Sequence, residues 1–124
     1  MVKVIQTNDE LRWLSEVRQE LFQKLQRNQN FSKATTILLT GGRTAKILYT
    51  QWASECIFKT YDADFYFGDE RCVPPNDSES NYGMVMHKLF NSTIPEGCNV
   101  HRIVGEAEDV AKEAKRYSSL LPDA

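Results

Sequence analysis

Two short segments hold residue types that could do chemistry. In Leu39-Thr40-Gly41-Gly42-Arg43-Thr44 an apolar run meets two glycines and then a helical pattern. Glycines let backbone N–H groups approach an anion closely, and a helix N-terminus adds unpaired donors and partial positive charge, so a phosphate suits this turn. Arg43 and Thr44 offer side-chain donors as well. The same residues also fit a tight strand-to-helix turn that holds nothing. The segment lacks G-x-x-x-x-G-K-[ST] and G-x-G-x-x-G, so it is neither a Walker A loop nor a dinucleotide fingerprint. In Phe67-Gly68-Asp69-Glu70-Arg71-Cys72-Val73-Pro74-Pro75, three consecutive ionisable side chains follow an aromatic run. Asp69 could aim a carboxylate, and Arg71 its fork of donors, into one crevice where a phosphate or a developing oxyanion would sit. An Asp69–Arg71 ion pair that merely fixes the loop fits the spacing equally well. His87 and His101 read as residues packed on a helix face and a strand rather than as bases.

These segments need elements to hold them. Val2 and Val4 alternate with polar residues as in a short half-buried strand, and Thr7 with Glu10 forms a capping-box pattern ahead of a helix. Leu11, Leu14, Val17, Leu21, Phe22 and Leu25 then mark one helical face that fades near Arg27-Asn28. Thr35 to Leu39 is a β-branched and apolar run without alternation, the profile of a strand buried on both faces, which Gly41-Gly42 ends. A helix is expected over 44–54, a strand over 64–67 and a loop through Val73-Pro74-Pro75-Asn76-Asp77. A third helix over 80–90, a strand over 100–104 and a helix over 109–121 complete the pattern. Strands alternating with helices predict an α/β fold with a mainly parallel sheet. In such sheets ligands lie beyond the carboxyl ends of the strands, where both segments fall.

The chain has 124 residues, 41% hydrophobic and 26% charged, within the size of one domain. Its net charge of -2 gives no positive field to gather nucleic acid or an acidic membrane, so an anion would have to be held locally. No apolar run reaches the roughly 20 residues that cross a bilayer, and the N-terminus lacks the pattern of a secretory signal. A cytoplasmic setting is the expectation. Cys56, Cys72 and Cys98 are odd in number and form no C-x-x-C pair, as expected of reduced thiols. With only His87 and His101 besides, no metal-ligand spacing emerges, and neither metal nor cofactor is expected.

Four stretches, taken in order, resemble the 6-phosphogluconolactonase family: Gly41-Gly42-Arg43-Thr44, the Phe67–Pro75 segment, Asp77-Ser78-Glu79-Ser80-Asn81-Tyr82-Gly83-Met84, and Asn99-Val100-His101-Arg102-Ile103. The resemblance covers essentially the whole chain but only the N-terminal half or so of the family's usual length. It implies a modified Rossmann-like α/β fold, of which residues 1–124 form the N-terminal part of a single domain. It also implies cofactor-free hydrolysis of a phosphorylated sugar lactone, 6-phospho-D-glucono-1,5-lactone, in the pentose phosphate pathway. On that basis Gly41, Gly42, Arg43 and Thr44 hold the substrate phosphate, and Asp69 and Arg71 are catalytic. Arg71 stands where the related glucosamine-6-phosphate deaminases carry tyrosine, which favours the lactonase branch. Arg43-Thr44-Ala45 departs from the family's usual small hydroxyl residue followed by Thr-Pro or Ser-Pro. The family's general-base histidine belongs to a Gly-x-Gly-x-x-Gly-His-type motif, and nothing after Arg102 resembles it. Three readings follow: part of a lactone hydrolase, a catalytically inactive sugar-phosphate-binding or assembly module, or a glucosamine-6-phosphate deaminase-like relative, which Arg71 and the Pro74-Pro75 loop disfavour. Half of a wound sheet is also expected to self-associate through uncovered edges and apolar faces, or to fold only marginally.

Overall fold

A computed structural model describes residues 2–123. Helix α1 (Glu10–Asn30) opens at Asp9, whose side chain accepts from the N–H groups of Leu11 and Arg12, so the cap is Asp9 and not Thr7. Thr7 sits two residues earlier, its Oγ1 accepting from Asp9 N–H at 3.2 Å. The strand expected around Val2 and Val4 does not form: both side chains are exposed and the segment pairs with no strand.

Strands β1 (Thr35–Leu39), β2 (Ala63–Phe67) and β3 (Cys98–His101) form one parallel sheet in the order β1-β2-β3. Helix α2 (Arg43–Ser54) and a 3-10 turn (Ile57–Lys59) connect the first two, and α3 (Asn81–Lys88) lies between the last two. Helix α4 (Val110–Leu120) follows. β3 starts two residues earlier and ends three earlier than its apolar run suggested, because its register pairs Ala63 with Cys98 and stops at Tyr66 with His101.

Thr35, Leu39, Ala63, Phe65 and Phe67 share one sheet face and are buried. The core gathers on that face around Phe65, whose ring stands edge-on to Phe58 at 4.9 Å and to Phe90 at 5.2 Å. Leu25 of α1 and Val85 of α3 complete it. The opposite face is open, which corrects the expectation of a strand buried on both sides: Leu38 is 65% exposed and Thr36 is exposed too. On that face His101 stacks on Tyr66 at 4.5 Å and Asn99 donates to Asp64.

The lateral edge of β1 is open as well. Thr35 N–H bonds Asp62 and Gly68 N–H bonds Leu39 C=O, so the odd-numbered residues of β1 turn their backbone groups toward β2. By alternation, Thr36 and Leu38 turn theirs outward. Thr40 would be the next outward residue, but the Tyr49 hydroxyl takes both its groups, accepting from Thr40 N–H at 3.0 Å and donating to Thr40 C=O at 2.9 Å.

Candidate functional site

The glycine turn sits directly beyond β1. Gly42 caps α2 at φ 99°, a conformation that disfavours any residue with a Cβ. A side chain at Gly42 would meet no atom within 4 Å, so packing does not demand the glycine and the space before it is open. Among the described residues, no group accepts from the N–H of Gly42, Arg43, Thr44 or Ala45; the first helical bond is Lys46 N–H to Gly42 C=O at 3.1 Å. Arg43 is exposed and makes no ion pair among the described residues.

The acidic loop beyond β2 is built differently. Glu70 turns inward onto the start of α3. Its Oε1 accepts from the N–H of Arg71 at 2.8 Å and of Asn81 at 2.7 Å, and its Oε2 from Tyr82 N–H and the Ser80 hydroxyl, both at 3.0 Å. Ser80 Oγ accepts in turn from Gly83 N–H. With its acceptor sites occupied, Glu70 is a structural anion and not a free base. The loop is also clamped from behind, since a Cβ at Gly105 would overlap the carbonyls of Arg71 and Val73, and one at Gly83 would overlap that of Pro75.

That arrangement aims the buried side chain of Asn81. Its Nδ2 lies 3.2 Å from the Asp69 carbonyl and 3.4 Å from Asp69 Oδ1. On its other side Asn81 Oδ1 sits against Gly41, where a Cβ would overlap it. Gly41 and Asp69 are thus joined through one amide. Asp69 is exposed and forms no pair with Arg71, so the loop-fixing ion pair does not exist. Arg71 instead reaches Glu79 at 3.3 Å with both side chains more than half exposed, a contact water weakens.

A cavity of about 360 Å³ opens between this loop and α4, lined by Asp69, Arg71, Phe67, Ile103, Val110 and Tyr117. The Tyr117 hydroxyl accepts from Phe67 N–H and donates to His101 C=O, both at 2.7 Å, taking the place of the next β2–β3 rung. Burial pushes this phenol up from its ordinary value, so it remains a donor. Glu113 fastens α4 to the loop after β3. Its carboxyl is held down at about 2, first by Arg116 and then by Val104 N–H, which it accepts at 2.7 Å. A larger cavity of about 530 Å³, near Phe58, Leu89 and Pro95, lies at the other end of the strands and includes none of the candidate residues.

The structure therefore brings together Gly41, Gly42 and Asp69, with Arg71 at the rim. His87 is exposed on the last turn of α3 and His101 is stacked on the open face; neither bonds the turn or the loop. Among the described residues no group of three His, Cys, Asp or Glu side chains converges as a metal would need. No helix there is long and apolar enough to cross a membrane. Sequence reasoning missed Glu70 as the anchor, Asn81 as the connector, and the hydroxyls of Tyr49 and Tyr117. A Ser just ahead of a helical pattern signals a cap, but nothing local pairs Glu70 with a helix starting eleven residues later.

Residues 8–124 match the family model described as glucosamine-6-phosphate isomerases/6-phosphogluconolactonase. The 6-phosphogluconolactonase of Haemophilus influenzae is 36% identical over 95 residues, covering 70% of this chain and 40% of that protein. The glucosamine-6-phosphate deaminase of Lysinibacillus sphaericus is 32% identical over 128 residues, covering 97% of this chain and 50% of its own. Among solved structures, a 6-phosphogluconolactonase from Trypanosoma cruzi superposes with TM-score 0.75 at 27% identity, over 95% of this chain and 48% of that one. The chain thus spans half or less of the length of these relatives.

Proposed function

The chain belongs to the glucosamine-6-phosphate isomerase/6-phosphogluconolactonase family, and from that premise we propose that it supplies the phosphate-binding turn and the acidic loop of a lactone-hydrolysing site. The substrate is 6-phospho-D-glucono-1,5-lactone and the product 6-phospho-D-gluconate. The observation that carries this reading is the uncapped start of α2: four unclaimed N–H groups behind Gly42, at the carboxyl end of a parallel strand and one side chain away from Asp69. Gly41, Gly42, Arg43 and Thr44 hold the 6-phosphate. In the reaction, water adds to the C1 carbonyl and gives its proton to a base. The ring oxygen then departs from C1 and takes up a proton. Arg71, only loosely held by Glu79, swings to the developing oxyanion, and Asp69 orients the sugar or the base.

The similarity to a glucosamine-6-phosphate deaminase admits a competing chemistry, and Arg71 is the residue that favours the lactonase reading over it. A histidine base of the Gly-x-Gly-x-x-Gly-His type does not occur in these 124 residues. The 124 residues alone accordingly bind the sugar phosphate without turning it over, as the N-terminal part of a single domain. They also self-associate through the outward groups of Thr36 and Leu38 and the open sheet face beside them. The exposed free thiols of Cys56 and Cys72 suit a reducing, cytoplasmic setting.

Titration of the chain with 6-phosphogluconate, followed through the amide signals of residues 42–45, tests the reading. The parent shifts those signals and Gly42→Val, verified as folded, does not. Equal binding by both would remove the phosphate from this turn. Lactone opening, corrected for the spontaneous rate, stays at background for the 124 residues; clear turnover by a monodisperse monomer would return His87 or His101 to consideration.

A further inference from the structure

We propose that Asn81 is a length gauge: a positioning residue that sets the span between the glycine turn and the Asp69 carboxylate and so selects phosphomonoesters by the reach of their polar end. The inference rests on the phosphate site proposed above and adds a specificity determinant to it.

The argument starts from contacts. Asn81 is 5% exposed, so it meets solvent ligands poorly itself and acts on what it touches. One end of its amide bears on Gly41, which has no room for a Cβ, and the other donates to both the backbone and the carboxylate of Asp69. The backbone that carries the side chain is fixed, because Glu70 holds the N–H groups of Asn81 and Tyr82 while the Ser80 hydroxyl holds that of Gly83. A rigid spacer between an anion-binding turn and a hydroxyl-accepting carboxylate rewards a molecule that fills both ends at once. A shorter phosphomonoester satisfies the turn and leaves Asp69 unmet. Glu70 therefore acts through Asn81, and Asn81 through Asp69.

The test compares 6-phosphogluconate with glycerol 3-phosphate, which carries the same dianionic group on a shorter chain. Taking the ratio of the two dissociation constants for the 124-residue chain removes the contribution of the phosphate itself. The parent prefers 6-phosphogluconate. In Asn81→Ala that preference falls about tenfold, the low end of what a hydrogen bond to a charged group commonly carries. A purely structural role for Asn81 would weaken both ligands in proportion and leave the ratio at the parental value, which overturns the proposal while the phosphate reading stands. A parent that binds neither ligand overturns both. The contact has its own check in stability. Gly41→Ala is destabilising alone and harmless in an Asn81→Ala background, where every atom the new methyl group would overlap is gone. Asn81→Ser carries the ratio measurement should Asn81→Ala fail to fold. Persistent damage from Gly41→Ala in the double variant would overturn the gauge.

Discussion

The starts of α2 and α3 both present orphan N–H groups near the carboxyl ends of neighbouring strands, yet they are finished in opposite ways. At α3 every early donor is claimed: Ser80 N–H by Asp77 C=O, Asn81 and Tyr82 by Glu70, Gly83 by the Ser80 hydroxyl. At α2 no side chain caps the helix and no acid stands in its first turn. Helices α1 and α4 side with α3, capped by Asp9 and Asp109. A helix start attracts negative charge whatever its source. Where the chain supplies that charge, the result is a fixed loop; where it supplies glycine instead, the donors stay unclaimed and open to solvent. The comparison explains why Glu70, in the middle of the ionisable triplet Asp69-Glu70-Arg71, serves the fold while the residues on either side of it line the neighbouring cavity.

The largest effect expected from disturbing this contrast is at Glu70. Glu70→Gln places an amide donor against N–H groups that need an acceptor, and should cost about 2–3 kcal/mol of stability by urea unfolding. A loss under 0.5 kcal/mol, within the noise of an ordinary surface change, would mean that α3 needs no internal anion. At Glu113 the signature is pH dependence. Its folded carboxyl titrates at about 2 against an ordinary 4.5, so its stabilisation is present above 4.5 and disappears as pH falls toward 2. The parent should exceed Glu113→Gln in urea midpoint at neutral pH and converge with it in acid; a gap that persists to pH 2 would contradict the Arg116 pairing. Gly42→Ala should cost about 1–2 kcal/mol through its positive φ alone, since nothing lies in the way of the new methyl group. The smallest change in stability, and of opposite sign, is expected from Thr44→Glu. An acid in the first turn of α2 should stabilise by roughly 0.5 kcal/mol while suppressing the amide response to 6-phosphogluconate. That single variant would make α2 resemble α3, and retained binding would dissolve the distinction between them.

The elements were legible where periodicity is strong. The parallel α/β pattern, β1 at Thr35–Leu39 and α2 through α4 follow from runs of apolar residues, and the glycine turn from its position beyond β1. Three features were not, each because a distant group decides it. Val2 and Val4 alternate like a strand but have no partner edge. β1 reads as doubly buried because Leu38 is apolar, although Leu38 and Thr36 are exposed on that face. Asp69 and Arg71 look like a pair in sequence, yet the backbone turned by Glu70 sends them apart, toward Asn81 and Glu79. Adjacent residues in a loop share a position without sharing a direction, and only the donors of α3 determine which way each one faces.

The Tyr117 hydroxyl that stands in for a sheet rung joins Phe67 to a residue 50 positions later in the chain. A direct β2–β3 rung would close as soon as the strands met; this one waits for α4 to form and dock. Contacts of long sequence separation carry more loop-closure entropy and tend to be made late. The carboxyl ends of β2 and β3 are therefore expected to seal late in folding and to open early in the native state. Since the acidic loop springs from that end, the exchange rate of the Phe67 amide proton with solvent is a clock for α4. It should run faster than that of Phe65 one rung below, and in step with the departure of the helix from the sheet.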